Sequence, residues 1–446
     1  MDPSRSLRSA IMRRMARAER MQRQRQRAEV ARKRAGRPHR VLYFHQLDDP
    51  YSQLAVQAIA PLLQRYDIEL QPRVVARPTP IAIHEQVLWD AWARRDCAAI
   101  APFHGLHYAP PARAHDPELL AGARRIAVQA EPAPAFAALA AALGTALDSG
   151  DAAAIGELER QHGAATPEAA ERRMQQNFRE RHSLGHYLGA MFHYAGEWYW
   201  GIDRLHYLEA RLDALGARRP GAHAGSCVPL QRHAPATIAG TARVTLEFFA
   251  SVRSPYTHLA YDRVADLCRR YPVDLVLRPV LPMMMRGVKA DRRKGQYILF
   301  DAKREADRLG VPFGSIWDPF GDPVRRAYSL FGYAREHGRG LEYLHQYSLA
   351  VWSERLDASG EAGLRRIVER AGLSWDGARK VLDSHDWEDE FEHNVQAMLG
   401  AGSWGVPTLR LPPQHGHADF TAWGQDRIWL VEEEIARRLA PQMPSA

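Results

Sequence analysis

Apolar and polar positions along the chain alternate between a strand rhythm and a helix rhythm, and they do so in the same order twice. Val244, Leu246, Phe248 and Phe249 form an apolar run of strand character, after which a helix-period pattern opens at Ser254-Pro255. Serine caps a helix because its oxygen accepts from a free N–H of the first turn, and proline suits the first helical position. A second apolar run over residues 273–280 follows, so residues 244–280 predict a βαβ unit with a parallel strand pair and a right-handed crossover. Near the start of the chain, residues 41–46 and 68–75 predict two more strands around an amphipathic helix.

The two βαβ segments are copies. "DPYSQLAVQAIAPLLQRYDIELQPR" (49–73) lies over "SPYTHLAYDRVADLCRRYPVDLVLR" (254–278) without a gap, at a constant offset of 205. Pro50/Pro255, Tyr51/Tyr256, Leu54/Leu259, Ala55/Ala260, Leu62/Leu267, Tyr66/Tyr271, Leu70/Leu275 and Arg73/Arg278 coincide. The far ends of the halves match as well, through Trp200-Gly201-x-Asp203-Arg204 and Trp423-Gly424-x-Asp426-Arg427, each a short strand turning at glycine into a helix. Mostly helical sequence lies between the ends. The predicted organisation is a basic arm over 1–40, helical or disordered, then a first domain over 41–216. A Pro/Gly/Ala-rich linker over 217–243 leads to a second domain over 244–440.

Composition adds limits. With 46% hydrophobic and 25% charged residues, the 446-residue chain has the make-up of a soluble globular protein. The net charge of +8 conceals an asymmetry: Met1–Arg40 carry fourteen Lys and Arg against three Asp and Glu, an excess of +11 that leaves −3 for the rest. That arm reads either as a solvated charged segment or as a contact for nucleic acid or an anionic membrane surface. No apolar stretch has signal-peptide or membrane-span length, and Cys97, Cys227 and Cys268 build neither Cys-x-x-Cys nor a zinc spacing, which fits the cytoplasm.

A βαβ–helices–ββα order is that of a thioredoxin fold with a helical insertion, so the fold class expected is α/β, with two tandem thioredoxin-like domains. In the second half, "SPYTHLA", "LRPVL", "KGQYILFDAKREADRLGVPF", "GVPTL" and "WGQDRI" follow in order. Together they resemble the 2-hydroxychromene-2-carboxylate isomerase and kappa-class glutathione transferase branch of the DsbA-like thioredoxin superfamily. The resemblance covers residues 244–439 well and 41–215 more faintly, through the repeat.

The resemblance implies glutathione as cofactor and a small electrophilic substrate, to whose carbon the thiolate adds and, in isomerisation, from which it leaves again. It implies that Ser254 is the catalytic residue, hydrogen-bonding the glutathione sulfur. A hydroxyl donor at the positive end of a helix favours thiolate over thiol, and Arg253 either adds to that field or points to solvent. Val406 and Pro407, the latter expected cis, would contact the cysteinyl unit through the backbone. Gln425 and Asp426 would receive the γ-glutamyl ammonium group, and Lys289, with Arg292 nearby, the glycine carboxylate. The family's asparagine in this last loop has no counterpart in "MMMRGVKADRRKGQY".

The first half departs from the pattern at two points. Asp49 stands where Ser254 does, and a carboxylate repels a thiolate while still capping a helix. "LGHYLGAMFHY" stands where Gly-Val-Pro-Thr is expected. The first half therefore reads as a catalytically silent copy that pairs with the second. Two competing functions are a thiol–disulfide oxidoreductase, opposed by Ser254 and Thr257 at both would-be cysteine positions, and a non-catalytic thioredoxin-fold scaffold.

Overall fold

The two apolar runs of each half become parallel neighbours. Strand β1 (His39–His45) pairs with β2 (Ile68–Val74), and it is flanked on its other edge by antiparallel β3 (Met191–Tyr194) and then β4 (Glu197–Trp200). Strands β5 (Val244–Ala250), β6 (Val273–Pro279), β7 (Thr408–Leu411) and β8 (Phe420–Trp423) repeat the arrangement, so the two sheets run β2-β1-β3-β4 and β6-β5-β7-β8. Even the register carries over: Val41 faces Leu70 and Leu246 faces Leu275.

The computed structural model describes residues 3–79, 83–131, 135–231, 242–288 and 291–440. They fall into two units, one of Met21–Gln231 and one that joins Arg232–Ala446 with Met1–Arg20. The second unit is α/β, with its helical insertion between β6 and β7. No helix among the described residues is long and apolar enough to cross a membrane.

The basic arm is helical throughout most of its length, as α1 (Pro3–Met15) and α2 (Ala18–Arg34). It is not one segment structurally, because α1 belongs to the unit built from the second half of the chain. The expected linker also divides. Ala217 accepts from the Asp67 N–H at 2.8 Å, the Arg219 N–H donates to Arg65 at 2.8 Å and Cys227 N–H to Glu209 at 2.8 Å, which fastens this stretch to the first unit. Residues 232–241 lie outside the described residues.

In the second unit the insertion holds the end of β5 in place. Just past that strand, the Val252 N–H donates to the Tyr328 hydroxyl at 3.1 Å, and the Val252 carbonyl accepts from the Trp352 indole at 3.1 Å. The Tyr328 hydroxyl in turn donates to Val280, beyond the end of β6, at 3.1 Å. Both partners are buried and Tyr328 packs edge-on against Phe391 at 4.5 Å. The turn that leads to Ser254 thus has its polar groups satisfied inside the core, where unpaired groups would be costly.

Gly405 lies on the other side of that turn, against the Trp423 ring. A Cβ there would sit 2.6 Å from Trp423 Nε1 and 2.8 Å from two ring carbons. Trp423 is itself pressed against Trp404, centroids 4.6 Å apart. Gly405→Ala is expected to destabilise the second unit by about 1–3 kcal/mol through overpacking. Urea denaturation checks this: the midpoint falls with the slope unchanged.

Candidate active site

Strand β5 delivers its chain to a short helix, Pro255–His258, with Ser254 as cap. The Ser254 backbone is extended (φ −92°, ψ 120°), and its Oγ accepts from the Thr257 N–H at 3.2 Å while donating to the Val406 carbonyl at 3.3 Å. The helix itself is pinned by buried His258, whose ring nitrogens lie 3.0 Å from Ser348 Oγ and 2.9 Å from the Pro312 carbonyl. Burial lowers the His258 pKa to about 4, so the ring is neutral and structural.

The Val406–Pro407 peptide is cis, and it is the one cis bond among the described residues. The Pro407 carbonyl accepts from the Gly424 N–H at 2.8 Å, while Thr408 Oγ1 donates to the Gly405 carbonyl at 2.7 Å. These bonds fix the loop so that half-buried Val406 faces half-buried Ser254. The fold therefore brings Ser254, Val406 and Pro407 together across 152 residues of sequence.

Gln425 and Asp426 follow Gly424, at the next turn. Gln425 is fully buried; its amide donates to Glu305 at 2.8 Å and to Asp426 Oδ1 at 2.6 Å, and its Oε1 accepts from Arg263 at 2.8 Å. Both amide hydrogens are spent and Oε1 is already taken by Arg263, so buried Gln425 holds Asp426 instead of accepting from an ammonium group itself. Asp426 remains half-buried. Lys289 lies outside the described residues, and Arg292 is exposed at the start of the helix Arg292–Leu309.

Sequence reasoning missed two groups. Lys294 sits on the same helix face as Asp301, two turns away, and Asp301 accepts from the Tyr256 hydroxyl at 2.8 Å. Burial lowers the Lys294 pKa, with Asp291 opposing. The motif "KGQY" contains this lysine, but only the fold reveals its desolvation. The second group is Asp318, whose carboxylate is fully buried and joins two arginines: Arg253 at 2.8 Å and Arg8 of α1 at 3.1 Å. Burial alone would raise this carboxyl, yet Arg253 and then Arg8 hold it below its ordinary value. Arg253 also stacks over Phe320, 4.9 Å from its centroid, so it is tied down rather than free in solvent.

In the first half the corresponding position is closed. Buried Asp49 caps its helix, accepting from the Ser52 N–H at 3.1 Å and the Ser52 hydroxyl at 2.7 Å. Ser52 Oγ accepts in turn from the Ala190 N–H at 2.9 Å. Even a Cβ on Gly189 would lie 2.7 Å from the Gln46 side chain. Burial pushes the Asp49 carboxyl up to about 6.

Residues 245–436 match the DsbA-like thioredoxin domain family, and this half of the chain carries such a domain. Among curated proteins, glutathione S-transferase kappa 1 of Rattus norvegicus is 25% identical over 226 residues, covering 46% of this chain and 96% of the relative. The 2-hydroxychromene-2-carboxylate isomerase of Sphingobium xenophagum is 22% identical over 209 residues, covering 43% and 97%. A solved 2-hydroxychromene-2-carboxylate isomerase structure shares 21% identity over 43% of this chain and 95% of its own, with a TM-score of 0.36.

Two outcomes follow from the charges. Asp49 has a folded pKa above its unfolded value, so the folded state binds the proton more tightly and stability falls as pH rises from about 4 to about 6. Asp49→Asn keeps an acceptor for the cap and removes that fall, leaving the variant more stable than the parent above pH 6 by about 2–3 kcal/mol; denaturation across pH 4.5–7.5 reads the difference. Asp318→Ala strands Arg253 and costs about 3 kcal/mol or more. Arg8→Ala, whose side chain is 39% exposed, costs about 1 kcal/mol or less, measured by the same denaturation.

Proposed function

We propose that the second unit is a glutathione-dependent isomerase or transferase acting on a small electrophilic substrate, with Ser254 as the thiol-stabilising hydroxyl. The observation that carries this reading is the geometry of Ser254: a half-buried hydroxyl at a helix start, its donor bond to Val406 a long 3.3 Å, next to a cis proline. A hydroxyl in that position turns from a carbonyl to a better acceptor with little rearrangement. The kinship with proteins named glutathione transferase and isomerase supports the same class.

The residues present fit a γ-glutamyl-cysteinyl-glycine ligand. When bound, it supplies a nucleophilic sulfur. Ser254 donates to that sulfur and, with the positive helix end, favours its deprotonated form. Val406 and Pro407 align the cysteinyl backbone, and the Val406 N–H makes no hydrogen bond among the described residues. Asp426, held by Gln425, receives the ammonium group. Lys294, half-buried on the helix Arg292–Leu309, is the described lysine proposed for the glycine carboxylate, the role the sequence assigns to Lys289.

Disulfide exchange is the weaker reading. Ser254 and Thr257 occupy both positions of the would-be dithiol. Burial pushes the Cys268 thiol up to about 11 and the Cys227 thiol up to about 12, so neither supplies a thiolate near pH 7. The first unit is a degenerate, catalytically silent thioredoxin-like copy, a reading supported by its matching strand order and by closed Asp49.

Calorimetric titration with glutathione is expected to show one site, and bound thiolate to absorb at 240 nm below the pH at which free thiol ionises. Ser254→Ala is expected to lower thiolate formation and turnover by about 10- to 100-fold, the value of a hydrogen bond to a charged atom. No binding at several millimolar glutathione, an unaffected Ser254→Ala variant, or insulin reduction by the purified protein overturns the proposal.

A further inference from the structure

Helix α2 has two unlike faces. Its inward side is fastened to the first unit, where Arg25 forms a bidentate pair with Glu197 at 2.7 and 2.8 Å and the Gln24 amide donates to the Gly196 carbonyl at 3.4 Å; Arg32 and Glu29 pair with each other within the helix at 2.7 and 2.8 Å. Its outward side carries Arg20, Arg23, Arg27 and Arg34, all exposed and none in an ion pair or hydrogen bond among the described residues. Steps of three, four and seven residues bring these four within about 60° of one another around a helix, along roughly 21 Å of axis. They oppose the inward face.

Carboxylates at i,i+3 or i,i+4 would offset such a row on a solvated helix. Here α2 holds seven basic residues against two acidic ones: Glu29 is spent on the inward side, and exposed Glu19, one turn before Arg23, forms no ion pair with the row among the described residues. Large apolar groups are scarce on the outward side: Val30, 59% exposed, is the one large hydrophobic of α2 left open. A helix that lies in a membrane interface needs a continuous apolar face, which this side lacks.

We propose that the outward face of α2 is a sequence-independent docking surface for the phosphate backbone of duplex DNA. The guanidinium fork matches phosphate oxygens bidentately, and the four side chains supply four such contacts. The B-form major groove admits an α-helix, whereas that of double-stranded RNA is too deep and narrow for side chains to enter. This surface uses none of the residues assigned to the Ser254 site, and its test uses no glutathione, so it stands or falls apart from the catalytic reading.

The test is fluorescence anisotropy of a labelled 20-bp duplex with the full chain, titrated from 50 to 200 mM NaCl. Four phosphate contacts give a slope of log affinity against log salt of about −3.6, a loss of about a hundredfold over that range. The single variants R23Q and R27Q each reduce the slope by about 0.9, and R20Q/R23Q/R27Q/R34Q abolishes binding with its circular dichroism melt unchanged. Replacing the same four by lysine retains binding. No binding at 50 mM NaCl, full binding by the quadruple glutamine variant, or preference for phosphatidylserine vesicles or duplex RNA over DNA overturns the proposal.

Discussion

Strand β5 is hydrogen-bonded on both edges, to β6 along Val244–Ala250 and to β7 through Glu247, Phe248 and Phe249. Its carboxyl end therefore cannot shift without moving both neighbours. The chain leaving β5 makes the Ser254 turn, and the chain entering β7 makes the Val406–Pro407 turn, so one central strand sets the distance between them. The insertion closes the arrangement from behind, where Tyr328 and Trp352 take both backbone groups of Val252. A hydroxyl proposed to hold a ligand's sulfur benefits from such support, because a site displaced by a fraction of an ångström loses its geometry.

The two halves solve one local problem in opposite ways. Each must begin a helix where a central strand ends, and each uses a side-chain oxygen as cap. Asp49 does so with a carboxyl that is sealed in by Ser52, Ala190 and Gly189 and is pushed up to about 6 by its burial. Ser254 does so with a neutral hydroxyl that keeps a second, longer bond to Val406. Capping tolerates both residues. Thiolate chemistry does not, since the carboxylate brings a like charge.

Charge in this chain is distributed by function more than by sequence block. The amino-terminal segment looks uniformly basic, yet Arg8 is drawn to buried Asp318, and Arg25 pairs with Glu197. Among the described residues of this segment, one face of α2 is left without ion pairs, as are Arg14 and Arg17. The same sorting explains Arg253, which serves the Asp318 carboxylate and stacks on Phe320 instead of standing free beside Ser254.

The strand and helix order, the 205-residue repeat and the helix start at Ser254 were legible in the sequence, because periodicity and capping are local physics. So was the proline turn, through Gly405-Val406-Pro407-Thr408. Three things were not. Gln425 turns inward because its partners Glu305 and Arg263 reach it only after the chain has closed. Arg8, Arg253 and Asp318 meet from three distant segments, and no window of sequence relates them. The desolvation of Lys294 depends on what packs around a helix whose own pattern is merely amphipathic. Local pattern thus determined the elements and the candidate nucleophile's helper, while long-range closure decided which polar groups are consumed by the core and which are left to meet a ligand.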